Sequence, residues 1–219
     1  MTVDERTEAE PDPRATRVLK AAHERLYRWP DGFAGFRATV RVTADGAEVR
    51  GEVDVLAGHG AAFTPDRDHR VNPQVAAEVV ELATRLAPRP FATLDGRFGG
   101  AFRRDLDRPT GRAVAVVRDP RRTVRWIRGD RLVETEYAQP DGRRQLRVLL
   151  AHDVEDGRWL PATVVEQLER AGTTSGREVT EGWTAIDGIV LPARRTVRTE
   201  SDGTERTLEI HLSDHVAAR

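Results

Sequence analysis

Most of the chain alternates between apolar and polar residues with a period of two. In FRATVRVT, which begins at Phe36, the apolar side chains fall on one face, and Arg37, Thr39 and Arg41 fall on the other. After Ala-Asp-Gly, the segment AEVRGEVDV repeats the pattern. Such alternation is typical of half-buried strands, and Asp-Gly is typical of tight hairpin turns. The sequence therefore predicts an antiparallel hairpin here.

The same alternation continues from Ala113 to the C-terminal end, with short turns between the runs. Asp-Gly occurs seven times in the chain, and several copies separate two alternating runs. Strands that follow one another without intervening helices form an antiparallel meander. We therefore expect about ten strands in a single strongly curved antiparallel sheet, a half-barrel.

Two segments have helical periodicity instead. In PRATRVLKAAHERLYRW, which starts at Pro13, apolar residues recur every three or four positions, and Pro30 is expected to end the helix. In NPQVAAEVVELATRLAP, Asn72 is the expected N-cap, Pro73 the first helical residue and Pro88 the end.

The apolar face of the sheet has to be covered, and the two helices are the available cover. The expected fold is therefore α+β, with both helices on the concave side of the sheet. We expect one domain over residues 13–219, because the composition shows no break and no long linker. Residues 1–12 are polar and are expected to form a disordered tail.

The phrase Asp-Gly-x-x-Leu-Pro occurs twice, at Asp156–Pro161 and at Asp187–Pro192. In each copy Asp-Gly predicts the turn, the leucine is expected to enter the apolar face, and the proline is expected to begin the next strand. The segment WTAIDGIVLPARRTVRT, Trp183–Thr199, resembles the closing strands of half-barrel proteins related to the periplasmic lipoprotein-sorting carriers.

The segment LYRWPDGFAGFRATVRVTADGAEVRGEVDV, Leu26–Val55, resembles the opening of a bacterial family catalogued as a domain of unknown function (number 3386). That family's order of helix, hairpin, helix and meander fits the chain after Pro13. The resemblance implies a scaffold and assigns no catalytic residue. The sorting carriers are exported, whereas MTVDERTEAEPDPR lacks the apolar core of a signal peptide, so we expect a cytoplasmic protein.

Composition excludes several kinds of site. The chain has no cysteine, which excludes disulfides, thiolate metal ligands and cysteine nucleophiles. Its 35 basic and 36 acidic residues are interspersed, so no nucleic-acid partner is expected. No segment approaches the roughly 20 apolar residues of a membrane span. Carboxylates alternate with arginines on the polar strand faces, which predicts solvated cross-strand pairs.

Histidines are the candidates for catalysis and metal binding. His152 continues the apolar parity of Leu146 and Leu150, so we expect it to point into the core, as a hydrogen-bonded residue or as a general base. His59 and His69 flank a polar loop and are candidate metal ligands.

His211 and His215 also lie close together in the sequence, four residues apart. Along an extended strand this spacing corresponds to roughly 13 Å, too far for one metal ion to bind both. The chain has no recognisable nucleophile or phosphate-binding motif, because it lacks a Gly-x-Ser-x-Gly elbow, a phosphate loop and a His-Glu-x-x-His helix. The sequence leaves the cofactor unknown.

Large aromatic residues on the inner face of a curved sheet either fill the core or line a cavity. We expect a binding protein that holds an apolar or amphipathic small molecule between sheet and helices, through Trp126, Tyr137 and Trp183. Two alternatives remain open. One is an enzyme that uses the same pocket with histidine acid-base or metal chemistry, and the other is a structural protein with a filled interior. The sequence does not indicate an oligomeric state.

Overall fold

A computed structural model describes residues 10–44, 46–57, 59–66, 72–140, 142–170, 172–201 and 204–218. Over these residues the protein is α+β, with two α-helices and one antiparallel sheet of twelve strands rather than about ten. The helices are α1 (Pro13–Arg25) and α2 (Pro73–Ala83). Neither helix has the length and apolar character needed to cross a membrane.

The strands follow the chain from the first hairpin to the C-terminal region. They are β1 (Gly35–Ala44), β2 (Ala47–Leu56), β3 (Gly60–Pro65), β4 (Gly100–Phe102), β5 (Arg112–Val116), β6 (Val124–Arg128), β7 (Arg131–Gln139), β8 (Gly142–Asp153), β9 (Trp159–Arg170), β10 (Thr173–Ile186), β11 (Ile189–Ser201) and β12 (Thr204–Ala217). The sheet order is β3-β2-β1-β12-β11-β10-β9-β8-β7-β6-β5-β4. The strands from β4 to β12 follow one another in the sheet as the meander prediction requires, and β1 to β3 form a second consecutive run. The two runs join where β12 pairs with β1, so β3 and β4, which are consecutive in sequence, lie at opposite edges of the sheet.

The described chain divides into two compact units. The first contains the residues up to Tyr27 together with Arg89–Arg177, and the second contains Arg28–Pro88 together with Glu178–Arg219. Each unit has one of the two helices and its own part of the sheet. The expectation of a single domain over residues 13–219 stays a prediction.

The first helix begins where the sequence predicts and ends earlier. Asp12 caps it by accepting a hydrogen bond from the Arg14 backbone nitrogen at 2.7 Å. The Asp12 backbone nitrogen also donates to the Gly100 carbonyl at 2.7 Å. Residues 1–9 lie outside the described chain, and the expected tail over residues 1–12 stays a prediction. The helix stops at Arg25, before Pro30, because Leu26 is extended and forms a bridge to Trp159.

The second helix confirms its predicted start. The Asn72 side chain accepts a hydrogen bond from the Gln74 backbone nitrogen at 2.9 Å, and Pro73 is the first helical residue. The helix ends at Ala83, not at Pro88. The predicted first hairpin is also confirmed, since β1 pairs with β2 and the apolar positions of β1 from Phe36 to Val42 are buried.

Both copies of the repeated phrase form turns, as predicted. Asp156 and Asp187, with the glycine that follows each, have positive φ values between 51° and 78°. The leucines, Leu160 and Leu191, are fully buried. The prolines lie inside β9 and β11 rather than at their first residues, which corrects the expected strand starts by two or three positions.

The first unit has apolar residues on both faces of its sheet. On one face Ala15, Leu19 and Ala22 of α1 pack against a cluster that includes Val114 and Ile127. On the opposite face Ala113, Ala115, Val124 and Trp126 form a second buried cluster. Because side chains alternate along a strand, β5, β6 and β7 are covered on both faces, and polar residues on them have little access to water.

Candidate functional site

Two rows of side chains cross β5, β6, β7, β8 and β9 on the face opposite α1. Directly paired residues present their side chains on the same face of a sheet, so the register defines each row. The first row is Ala113, Trp126, Glu134, Arg147 and Val165. The second row is Ala115, Val124, Glu136, Gln145 and Gln167. Each row thus has apolar residues on β5 and β6, a glutamate on β7 and a polar residue on β8.

Glu134 and Glu136 are the buried glutamate pair at the centre of these rows. Glu134 is 2% exposed and Glu136 is 4% exposed. Glu134 accepts hydrogen bonds from Arg108 Nη1 and from Gln145 Nε2, the latter at 2.5 Å, and Arg147 Nε lies 3.4 Å from its second oxygen. A buried carboxylate requires such donors, because an unpaired one has a large desolvation cost.

Arg108 connects the buried glutamate pair to Trp126. Its guanidinium lies 4.1 Å from the centre of the Trp126 ring, while the indole Nε1 donates to the Leu106 carbonyl at 2.9 Å. Arg108 Nη2 also lies 4.0 Å from Glu136. The face and the polar edge of Trp126 are therefore both in contact with protein groups, and this ring is part of the core.

Arg143 completes the arrangement around Glu136. Its Nη1 donates to Glu136 at 3.5 Å, and its Nη2 donates to Glu169 at 2.9 Å. Arg143 and Glu169 are each about half exposed, with 51% and 52% of their side-chain surface accessible. Arg143 therefore links the buried carboxylate of Glu136 to the solvent-exposed surface.

A cavity of about 120 Å³ lies on β8 and β9, where the rows reach the open surface. We call it the β8–β9 cavity. Three polar and two apolar residues line it: Gln145, Arg147, Leu149, Val165 and Gln167. A water molecule needs roughly 10–15 Å³ of such volume, so the cavity has room for a small organic molecule.

The lining of this cavity is amphipathic. Leu149 is 51% exposed, and it lies where the pairing of β8 with β9 changes register between Val148 and Leu150. Within the described chain, the Arg147 Nη1 and Nη2 atoms and the Gln167 side-chain amide have no hydrogen-bond partner. The cavity therefore offers apolar contact together with unused polar groups.

The other face of β8 and β9 has a separate ion-pair cluster. Glu166 is paired with Arg144 Nε and with Arg177 Nε, the latter at 2.9 Å. Burial by itself would raise the pKa of Glu166, but the hydrogen bond from Arg144 and the charge of Arg177 lower this pKa below its usual range. Glu166 is therefore an ionised structural group.

The second unit has its own buried ion-pair cluster, centred on Arg195 of β11. Arg195 is 1% exposed and donates to Glu181 at 2.6 Å and to Glu78 of α2 at 2.9 Å. Burial alone would lower the pKa of Arg195, but the charges of Glu181, Glu81 and Glu78 raise it above its ordinary value. Because Glu78 belongs to α2, the cluster ties this helix to β10 and β11, and Arg85, which follows α2, also lies 3.4 Å from Glu181.

The two aromatic candidates of the first unit, Trp126 and Tyr137, do not share a face of the sheet. Trp126 pairs with Glu134, whereas Tyr137 is three residues further along β7 and lies on the opposite face. Tyr137 packs near Arg144, whose guanidinium is 5.7 Å from its ring centre. Trp183 belongs to the second unit, and its buried Nε1 has no hydrogen-bond partner in the described chain. Ligand binding by these rings stays a prediction.

Neither of the described histidine candidates, His59 and His152, is among the residues that line the cavity. His152 is exposed on β8, so the prediction that it points into the core is wrong. His152 follows the register shifts on either side of Leu150. Because of these shifts, the alternation that begins at Leu146 does not continue to His152. His59 is exposed, and His69 lies outside the described residues. Over the described ranges, no three histidine or acidic side chains form a group that could hold a metal ion.

Sequence patterns missed the buried glutamate pair. Glutamates that alternate on a strand were expected to be solvated, and Glu134, Glu136 and Glu181 are instead buried. A signal was present in LVETEY, because Leu132 and Val133 place apolar residues on both faces of the strand, as in a strand that is covered on both sides. That signal does not identify which polar residues are buried with them.

Comparison with known proteins places the chain in a family. The profile of the family described as "Protein of unknown function (DUF3386)" matches residues 10–217. The chain belongs to this family. The resemblance noted for Leu26–Val55 is therefore confirmed and extends over nearly the whole chain. In this DUF3386 protein the match includes α1, the complete sheet and all residues of the β8–β9 cavity. No curated protein matches the chain.

Proposed function

We propose that this DUF3386 protein binds a small amphipathic molecule in the β8–β9 cavity. The observation that supports the proposal is the lining of that cavity, in which Leu149 and Val165 adjoin Arg147 and two glutamine amides. Ligand sites in proteins typically combine apolar walls with a few polar groups that fix orientation. The cavity has both, within one small volume.

The exposure of Leu149 strengthens this argument. A leucine that is half exposed in the middle of a long strand leaves apolar surface in water, and burial of that surface by a ligand is favourable by about 25 cal/mol per Å². The polar neighbours of Leu149 are held in place, because Glu134 contacts both Gln145 and Arg147. The cavity is thus organised before a ligand arrives.

The proposal differs from the sequence-based expectation in location. The β8–β9 cavity lies on the face opposite α1, and its lining does not include Trp126 or Tyr137. The alternative of an enzyme that works by histidine chemistry is less well supported, because no histidine is among the lining residues. We keep the concave placement of both helices, a carrier-like half-barrel and a cytoplasmic location as parts of the proposal.

A titration of the full-length, ¹⁵N-labelled protein tests the proposal, with pentanoate and 1-pentanol as probes. We expect at least one of these compounds to shift the backbone amides of Leu149, Val165 and Gln167 in a saturable way. The Leu149→Gln variant removes apolar surface from the cavity, and we expect it to weaken binding about fivefold.

The matched control is Leu150→Gln. Leu150 is the adjacent residue, is 62% exposed and does not line the cavity. We expect this variant to bind both probes as the unmodified protein does. If neither probe gives saturable shifts at the cavity, or if the two variants weaken binding equally, the proposed function is wrong.

A further inference from the structure

The free end of Arg147 indicates which polar group the ligand has. We propose that the β8–β9 cavity selects a carboxylate, which pairs with the guanidinium of Arg147 while a short apolar tail contacts Leu149 and Val165. This inference rests on the proposed function and specifies its ligand class. It assigns a specificity role to Arg147 and a positioning role to Glu134.

The geometry of Arg147 leaves one edge of its guanidinium available. Nε faces the buried carboxylate of Glu134 at 3.4 Å, and within the described chain Nη1 and Nη2 have no hydrogen-bond partner and no ion pair. Arginine binds a carboxylate through two parallel N–H···O hydrogen bonds, and the two Nη atoms can supply such a pair of donors. Glu134 fixes the inner end of the side chain, so less conformational entropy is lost when an anion binds at the outer end.

The positive charge that a ligand meets in the cavity is local to Arg147. Among the arginines beside the buried glutamate pair, Arg143 is shared between Glu136 and Glu169. In the described chain the guanidinium of Arg147 contacts a carboxylate only through Nε. Of Arg108, Arg143 and Arg147, the arginine that lines the cavity is Arg147.

The amide groups of the cavity favour a carboxylate over a phosphate. Gln145 commits its side-chain nitrogen to Glu134 at 2.5 Å. The other side chains of the lining that donate are Arg147 and the Gln167 amide, which has no side-chain partner in the described part of the chain. One guanidinium and one amide match the two oxygens of a carboxylate, whereas a phosphate dianion has three acceptor oxygens and a second charge to neutralise.

Affinities for pentanoate, 1-pentanol and inorganic phosphate test the inference in the intact chain at neutral pH. We expect pentanoate to bind at least about tenfold more tightly than 1-pentanol, because a hydrogen bond to a charged group contributes more than a neutral one. We expect inorganic phosphate to give no saturable shifts at Leu149 and Val165, since it has no apolar part.

Two arginine variants separate a specific contact from a general charge effect. We expect Arg147→Gln to reduce pentanoate affinity about tenfold and to leave 1-pentanol affinity within about twofold. Arg143→Gln is the control, because Arg143 is also half exposed on the same face of β8 and does not line the cavity. This control is expected to leave both affinities within about twofold.

The outcomes distinguish the inference from the proposed function. If 1-pentanol binds as tightly as pentanoate, or if phosphate binds as tightly as pentanoate at these amides, the carboxylate inference is overturned while amphipathic binding stands. Equal loss of pentanoate binding in Arg147→Gln and Arg143→Gln also overturns it. If neither pentanoate nor 1-pentanol binds, the proposed function itself fails. Thermal unfolding of each variant measures whether the fold is intact, and we expect it to be, because Arg143 and Arg147 are both half exposed.

Discussion

Arg147 of β8 lies directly opposite Glu134 of β7, and its Nε is 3.4 Å from a Glu134 oxygen. Glu134 is buried, whereas half of the Arg147 side-chain surface is in contact with solvent. A carboxylate inside the first unit thus orients an arginine at its open surface. The contact between Glu134 and Arg147 links the packing of the sheet to the chemistry of the cavity. A substitution of Glu134 perturbs the packing, and a substitution of Arg147 perturbs the cavity.

Glu134→Gln is expected to lower the free energy of unfolding by about 1–3 kcal/mol, because it removes a charge that Arg108 and Arg147 share. The matched control is Glu169→Gln, a half-exposed glutamate of the same sheet face, for which we expect a change below about 0.5 kcal/mol. Urea denaturation at neutral pH measures both. Equal losses in the two variants would show that the burial of Glu134 has no energetic consequence.

Arg195→Met is expected to destabilise the protein by about 3–5 kcal/mol, since it leaves the buried carboxylate of Glu181 without its shortest ion pair. Arg194→Met is the control, because Arg194 is the neighbouring residue, is 52% exposed and pairs only at 3.3 Å with Glu209. The control should cost less than about 1 kcal/mol in the same denaturation experiment. A neutral Arg195→Met variant would contradict the role of this cluster in holding α2.

Acid sensitivity should depend on Glu166. Its pKa is lowered in the folded protein, so the unfolded chain binds more protons in the window between the folded and unfolded pKa values. The stabilisation is present above the unfolded pKa and is lost as pH falls through the folded pKa. We therefore expect the unfolding free energy of Glu166→Gln to fall less steeply than that of the unmodified protein between neutral and strongly acidic pH.

A series of urea melts across this pH range measures the effect. If the two curves run parallel, Glu166 does not contribute to acid unfolding.

Gly100→Ala should disturb the contact between α1 and β4. A Cβ atom at Gly100 would lie 2.7 Å from Leu19 Cδ1 and 3.3 Å from the Ala15 carbonyl carbon, so the helix or the side chain has to shift. Overpacking of this kind costs about 1–3 kcal/mol. Gly176→Ala is the control, because the nearest atom to its Cβ is 3.7 Å away, and we expect a change within about 0.5 kcal/mol. Comparable melting temperatures for the two variants would refute the steric argument.

The comparison of sequence and structure shows why some elements were predictable. The caps at Asn72 and Pro73 and the turn at Asp187 depend on residues that are close in the chain, so local chemistry specifies them. The end of α1 was not predictable in this way. It is set by the bridge of Leu26 to Trp159, a residue distant in sequence.

The candidate site also depends on contacts that are distant in sequence. Alternation correctly assigned Glu134 and Glu136 to one face of a strand, but it could not show that both faces of that strand are covered. The register of β7 with β8 and of β8 with β9 brings Glu134, Arg147 and Val165 into one row, and this register depends on pairings between separate segments. The parity prediction for His152 failed for the same reason, because a register shift precedes it.

The sequence by itself determined the α+β class, the two helix starts, the hairpin turns and the apolar face of β1, because periodicity and turn chemistry act over a few residues. Only the tertiary structure decided which charged side chains are buried, which faces the helices cover and where a cavity remains. Burial and electrostatic pairing depend on what lies across the sheet, and that is fixed when strands distant in sequence pair in one register.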